Sequence, residues 1–361
     1  MMRAPKSFAV VVRRRDGSLQ VHERAMSEGA RGAARWPFVR GVASLVESLR
    51  LGGEALRFSA EQFEKDAEGD AEAPRTVGGA GVKMVGVLGA LGLALFWVVT
   101  RADGEGPAAG SSKAAGGRSW IMAAVAIAFF VALPQAAAAG LNRLLRLGLE
   151  VQSAPFQAMT GVLKLVVVIG YLVAIRRVPE IRRVFQYHGA EHKTITTYET
   201  GEALLVENAR RKTTLHPRCG TTFLVMVALV SILVFIAVGA ALPRIHTGSA
   251  LADNVLFFFE KLPFLPFLVA VTFELQRLFS RHCATGPLRV LLVPGFLVQK
   301  ITTAEPDDAQ LEVALASLRV TLFRQDHGEA PATGGDVSFA SYADLLAAPR
   351  LRAETAPARA A

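Results

Sequence analysis

The 361-residue chain predicts a mainly α-helical, polytopic membrane protein with a small N-terminal β-hairpin. Three observations carry this expectation. Hydrophobic residues make up 52% of the chain and the mean hydropathy is +0.34, a composition that suits an integral membrane protein. Several apolar runs approach the ~20 residues that a helix needs to cross a bilayer. Strand-like alternation is confined to the first two dozen residues.

The alternation covers residues 7–24. Phe8, Val10 and Val12 alternate with Ala9 and Val11, Asp16-Gly17 supplies the turn, and Leu19 and Val21 resume the period of two. A two-stranded hairpin is marginal alone, so it must pack on something. Trp36 to Phe63 reads as one or two amphipathic helices, with Phe38, Val42, Leu45, Val46 and Leu49 at helical spacing and Gly52-Gly53 as an interruption. Such a helix packs on the protein body or lies in the membrane interface. Residues 64–80 look like a linker, which closes an N-terminal unit over 1–80.

A helical membrane core is expected over 81–320. Gly81–Thr100 and Trp120–Gly140 form the first two spans, joined by a Gly/Ala/Ser linker over 101–119, and Pro134 marks a kink. Leu141–Gln157 is amphipathic. Gly161–Ile175 is the third span and carries Lys164, which snorkels or pairs with a carboxylate. The motif loop 176–221 follows, then the fourth span at Thr222–Leu242 and a fifth at Val255–Leu278, broken by Pro263 and Pro266. Leu288–Leu297 is too short to span and reads as interfacial or packed. Thr302–Leu318 reads as a helix started by Pro306 and its acidic neighbours. Residues 321–361 form a disordered tail with a short helix at Tyr342–Ala348.

The formal charge of +9 fits attraction to anionic membrane lipids. Nucleic-acid binding is not expected, because only 4 Tyr and 3 Trp are available to interleave a basic patch. Two cysteines, Cys219 and Cys283, make no disulfide framework and fit a reducing, cytosol-facing setting. The opening residues lack a secretory signal pattern. Arg176, Arg177, Arg182 and Arg183 follow the third span at once, which places the motif loop on the cytoplasmic side of the cell (inner) membrane. The N-terminus is left on either side, and a re-entrant segment among the first three is the preferred solution.

Chemistry concentrates in the motif loop. His188-Gly189-Ala190-Glu191-His192 has the pattern H-x-x-E-H. On a helix, residues four apart share a face, so His188 and His192 can hold one divalent cation with Glu191 beside them as a base. His216 and Cys219, three apart, are the best suppliers of a third ligand. Cys219 is also a candidate nucleophile, because it stands beside Arg218 near the start of a helix. Glu199 lies seven residues beyond His192, roughly 10 Å along a straight helix, so it joins the site only if the helix breaks. Glu274 is an ionisable group at the end of a span, a functional candidate that Arg277 could instead hold in a salt bridge. Zinc is the default cation for such ligands.

These residues also carry a resemblance. The strings MMRAPKSFAV, FVRGVASLVESL, FQYHGAEHKTITTYE, HPRCGTTFL, FELQR, VPGFLVQKITT and EPDDAQLEVAL resemble the DUF1385 family, also called YqhQ-like proteins, in order from residue 1 to about 318. The resemblance implies a membrane protein expected to be a metal-dependent enzyme, and it implies no substrate. Two departures stand out. Family members begin earlier, with a glutamate-bearing segment before the Met-Met-Arg found here at residues 1–3. Their Glu-Gly-x-x-Arg before the third span is Thr160-Gly161-Val162-Leu163-Lys164 in this chain, which weakens any bidentate ion pair there.

The functional expectation is therefore a membrane-embedded, zinc-dependent hydrolase with its site at the cytoplasmic interface. His188 and His192 hold the ion, Glu191 acts as base, and His216 or Cys219 completes the ligand set. Substrates would be peptides, membrane-protein tails or lipid headgroups. The alternative is a non-enzymatic, metal-stabilised scaffold, assembly factor or transporter using the same ligands as a closed site.

Overall fold

The computed structural model describes residues 1–26, 36–69, 128–282, 287–327, 336–349 and 351. The expected span Gly81–Thr100, the start of the span Trp120–Gly140, the linker between them and Cys283 lie outside these residues.

The chain is mainly helical with one small antiparallel sheet. Its strands are β1 (Met2–Ala4), β2 (Ser7–Arg13), β3 (Leu19–Ala25) and β4 (Val337–Phe339), in spatial order β1-β2-β3-β4. The expected hairpin is β2 and β3, with Arg13 opposite Leu19 and Gly17 in the left-handed region at φ 88°. Two strands were not anticipated. β1 folds back on β2, and β4 pairs with β3 through Val21–Val337 and Leu19–Phe339. The stretch expected to be disordered thus supplies an edge strand, followed by the short helix α11 (Tyr342–Ala347).

The helices before the motif are α1 (Val39–Gly69), α2 (Leu133–Leu144) and α3 (Ala154–Ile175). α1 is continuous through Gly52-Gly53 and into the expected linker. Its Leu51, Ala55 and Phe58 pack on Phe8 and Val10 of the sheet, and that docking holds the glycine pair helical despite its low propensity. α2 follows a π-helical turn at Ala128–Ala132, with Pro134 in its first turn. α3 starts at Ala154, earlier than the apolar run suggested, because Ser153 caps the backbone N–H of Phe156.

The motif loop is largely helix: α4 (Pro179–Glu199) and α5 (Val206–Arg210). Next come α6 (Gly220–Ala241), α7 (Ala250–Lys261) and α8 (Leu265–His282), the last two joined by a 3-10 turn at the expected Pro263–Pro266 break. α9 (Val293–Thr302) packs along α6, and α10 (Asp308–His327) begins two residues beyond Pro306, the expected start. Among the described residues three helices are long and apolar enough to cross a membrane: Ala154–Ile175, Gly220–Ala241 and the composite Ala250–Phe279.

α10 is the plate on which the site is mounted. One side packs Val313, Ala316 and Val320 against Ala9, Val11, Leu19 and Val21 of the sheet. The other packs Leu311, Leu315 and Leu318 against Ala190 of α4 and Leu204 and Ala209 around α5. The sheet is therefore covered on both faces, by α1 and by α10, which explains why β2 is apolar at consecutive positions. Each buried Leu or Phe contributes roughly 1.5–3 kcal/mol.

The sheet is also tied to α1 by charge. His22 meets Glu54 at 3.2 Å and Asp336 at 2.9 Å. The Glu54 hydrogen bond raises the His22 imidazole above its ordinary 6.5, and the same bond lowers the Glu54 carboxyl below 4.5. The histidine's contribution is complete below pH 6.5 and is lost as pH rises through its raised folded value. The carboxylate's is complete above pH 4.5 and is lost as pH falls. The stability difference between wild type and His22→Gln, about 1 kcal/mol, is expected to be largest between pH 4.5 and 6.5 and to shrink on both sides. Thermal unfolding of the detergent-purified pair across pH checks this.

Candidate metal centre

The site forms where α4 passes the N-terminal end of α6. The helix expected at the motif is present, so His188 and His192 stand one turn apart with ring centroids separated by 4.4 Å. Cys219 is the N-cap of α6, and its Sγ accepts from the Thr221 backbone N–H at 3.4 Å. Sγ and one ring nitrogen of each imidazole lie within 4.8 Å of one another, and His188 Nε2 is 3.1 Å from Sγ. All three side chains are buried or nearly so.

Backbone carbonyls orient both rings. His188 Nδ1–H donates to Thr302 O at 2.9 Å, and His192 Nδ1–H donates to Thr214 O at 2.5 Å. A carbonyl can only accept, so each ring carries its proton on Nδ1 and keeps Nε2 for the site. This is the arrangement of metal-ligating histidines whose outer nitrogen is held by a second partner.

The approach of Thr302 depends on Gly189. A Cβ there would lie 2.2 Å from Ala304 O. With hydrogen in its place, the segment after α9 lies against α4, and Ala304 N–H donates to Phe185 O at 2.9 Å. Gln299, fully buried on α9, then holds the other side of the site. It accepts from His216 N–H and donates to His216 O, both at 2.8 Å, and donates to Thr222 Oγ1 at 2.8 Å.

His216 is buried beside the group, with its ring 5.8 Å from that of His192. It is not part of the His188–His192–Cys219 group. Its Nε2 is 3.2 Å from Glu199, and its Nδ1 accepts from Arg218 N–H at 3.3 Å. Burial holds this imidazole below its ordinary value although Glu199 pulls the other way. Glu199 also takes Arg218 at 2.9 Å. The helix does not break before Glu199, so this carboxylate stands apart from the His–His–Cys group. Glu274 does not line the cleft: it grips Arg40 of α1 through both oxygens.

Glu191 lies at the rim, partly exposed, with Oε1 2.8 Å from the Met1 amino group. It lines an open cleft of about 320 Å³ together with His188, His192, Glu199, His216 and Cys219. Electrostatics inside the group are strong. Burial pushes the Cys219 thiol up, but hydrogen bonds from His188 and His192 reverse this and hold it well below its ordinary value. Burial pushes His188 down, but the sulfur beside it raises it.

Sequence reading singled out His188, Glu191, His192 and Cys219, all of which meet at this cleft. It attached no role to Thr214, Gln299 or Thr302. For Gln299 a signal existed, since it is the one amide in the apolar run Val293–Ile301. The two carbonyls carry no side-chain signal at all.

The observed class is a mainly helical chain with, among the described residues, three helices of membrane-crossing length and a largely buried His–His–Cys group at the end of one of them. It belongs to the family described as "Protein of unknown function (DUF1385)", which it matches over residues 36–323, motif included. It is similar to "Uncharacterized protein YqhQ" of Bacillus subtilis (strain 168), 28% identical over 317 residues, covering 87% of this chain and 86% of that protein. No solved structure matches it.

The close approach at Gly189 is directly testable. Gly189→Ala forces its new methyl onto a backbone oxygen and is expected to destabilise by about 1–3 kcal/mol. Gly170→Ala on α3, with nothing within 4 Å, is expected to be neutral or to stabilise by up to about 1 kcal/mol. Paired thermal unfolding reads the opposite signs.

Proposed function

We propose that the chain is a membrane-embedded, divalent-metal-dependent hydrolase of the cell (inner) membrane, with its site at the cytoplasmic face. The observation that supports this best is the double carbonyl clamp on His188 and His192, which leaves two Nε2 atoms directed toward a thiolate beside an open cleft. The donor set fits zinc. Tetrahedral ligation at zinc's usual bond lengths separates N and S ligands by about 3.5 Å, and the three atoms here lie within 4.8 Å of one another. Three side chains beside a cleft also leave a fourth position, which favours an enzyme over a closed structural site.

A divalent cation held there would acidify water and polarise a carbonyl or phosphoryl oxygen. Glu191 would accept the proton from the attacking water and pass it to the leaving group. Thr302 O and Thr214 O keep the imidazoles in the ligating tautomer, and Arg218 at the cleft mouth would draw in an anionic group. The substrate classes that reach such a site are peptides, membrane-protein tails and lipid headgroups.

Complementation of a deletion strain at matched membrane abundance tests this. Purified protein should hold about one equivalent of divalent metal, lost in His188→Ala and His192→Ala. Glu191→Gln should keep the metal and lose function by roughly 10²–10⁴-fold. Full rescue by Glu191→Gln beside failure of His188→Ala would end the hydrolase reading in favour of a metal-stabilised scaffold, assembly factor or transporter.

A second reading rests on Cys219 itself. Its place at a helix N-terminus, 3.1 Å from His188, is also the geometry of a nucleophilic thiolate with its imidazole. On that reading iodoacetamide labels Cys219 as readily with zinc as without it. On the first, zinc protects the thiol.

The membrane reading follows from the three apolar helices and from Arg176, Arg177, Arg182 and Arg183 at the site end of α3. The sheet and α1 pack at that same end, since Asp66 bonds Arg14 and Arg40 bonds Glu274. Residue 69 thus lies at the site end and residue 154 at the other. Cysteine-accessibility labelling should find residues 176–219 and the part after α10 both facing the cytosol; opposite sides would refute the arrangement.

A further inference from the structure

Away from the metal centre, the bundle holds a second polar group at mid-helix. Lys164 sits about 15 Å from either end of α3. Its Nζ donates to Ser231 Oγ at 3.2 Å, and Ser231 passes its own proton to Ala228 O. Lys261, 4% exposed, closes α7 nearby. Its Nζ donates to Gln135 Oε1 at 2.6 Å and Gln157 Oε1 at 3.3 Å. Both amides are fixed in this sense, because Gln135 Nε2 donates to Asn254 O and Gln157 Nε2 to Val151 O. Both ammonium groups stand over the same ring, Phe235, at 5.2 and 5.3 Å. Between them lies a cavity of about 10 Å³.

Among the described residues no carboxylate comes within 4.0 Å of either Nζ, neighbouring Glu260 included. Lys164, expected to snorkel or to pair with a carboxylate, meets a hydroxyl among the described residues. Two ammonium groups carry six N–H donors, and the fixed protein acceptors that meet them are three oxygens. An aromatic face offsets part of a buried charge but does not neutralise it. With both amines protonated, the group is short of negative charge and of acceptors among the described residues, and the space at that point has room for about one water-sized particle.

We infer that Lys164 and Lys261 form an intramembrane binding site for one small monovalent inorganic anion of chloride size, seated over the edge of Phe235. It rests on the reading of these helices as membrane spans, not on the metal centre. A phosphate headgroup is too large for the cavity, and a lipid carboxylate would have to carry its chain into it. An anion there would cross-link α3, α6 and α7 through charge where hydrocarbon surrounds them.

Full-length protein, purified in a non-ionic detergent and exchanged into gluconate, is dialysed against radioactive chloride. About one chloride per chain is expected, and thermal stability should rise saturably with chloride at constant ionic strength. Lys164→Met and Lys261→Met should abolish both effects. Ser231→Ala, which removes one fixed contact of Lys164 without touching either charge, should weaken half-saturation by roughly tenfold or less. It serves if a lysine variant does not fold. Wild type that binds no chloride overturns the site and leaves two lysines held by neutral acceptors alone. Binding unchanged in both lysine variants overturns it equally. Failure of the membrane reading is scored separately, by the accessibility labelling above.

Discussion

The His188–His192–Cys219 group hangs on a contact that only hydrogen permits. Because position 189 has no Cβ, the backbone at Ala304 comes against α4 and exchanges a hydrogen bond with Phe185. That contact sets Thr302 O on His188 Nδ1. Thr302 ends α9, and α9 carries Gln299, which grips both backbone groups of His216. His216 stands three residues before Cys219. Three chain segments far apart in sequence are thereby locked at one end of α6. Gly295 repeats the device one layer away, where a Cβ would lie 2.3 Å from Thr222 Cγ2.

This arrangement needs a rigid support, and α10 provides it. It is buried along most of its length, with Leu315 and Arg319 fully enclosed, so it has little freedom to shift. Arg319 donates to Leu204 O at 2.6 Å and thereby fixes the turn between α4 and α5. Lys193, on the face of α4 away from the cleft, donates to Arg210 O at 2.9 Å and pairs with Glu305. The strap over Gly189 is held at its outer end by that pair. The small sheet supports the site through α10: it covers the face of α10 that α4 leaves open.

How much of this was legible in the sequence depends on whether the cause was local. The hairpin, its Asp16-Gly17 turn, the helical spacing of the motif and the proline break before α8 all follow from backbone preferences, and all are present. The extra strands were not legible. β4 has three residues and pairs only because Leu19 and Val21 are already ordered, a contact across more than 300 positions. Gly52-Gly53 read as a break for the complementary reason: propensity favoured it, and docking on Phe8 and Val10 outweighed it. At the site, the residue types were visible and the carbonyls were not. Glu274 shows the limit of local pairing rules, since the sequence offered its i+3 neighbour Arg277 and gave no signal for Arg40, which reaches both oxygens from another helix.

The two polar groups in the molecule differ in what they lack, and the difference follows from counting hydrogens. In the His188–His192–Cys219 group both imidazoles already donate their Nδ1 protons to carbonyls. If every group is neutral, two Nε2 lone pairs and one sulfur share a single S–H proton, so acceptors exceed donors. Moving that proton to His188 makes an ion pair but leaves His192 Nε2 with only a sulfur already engaged. A divalent cation satisfies all three atoms at once and requires no proton among them. At Lys164 and Lys261 the imbalance has the opposite sign, with donors exceeding acceptors around one small space. A protein interior tolerates neither imbalance without cost. An excess of lone pairs calls for a cation and an excess of N–H groups calls for an anion, so the sign of each imbalance names the ligand each place would take.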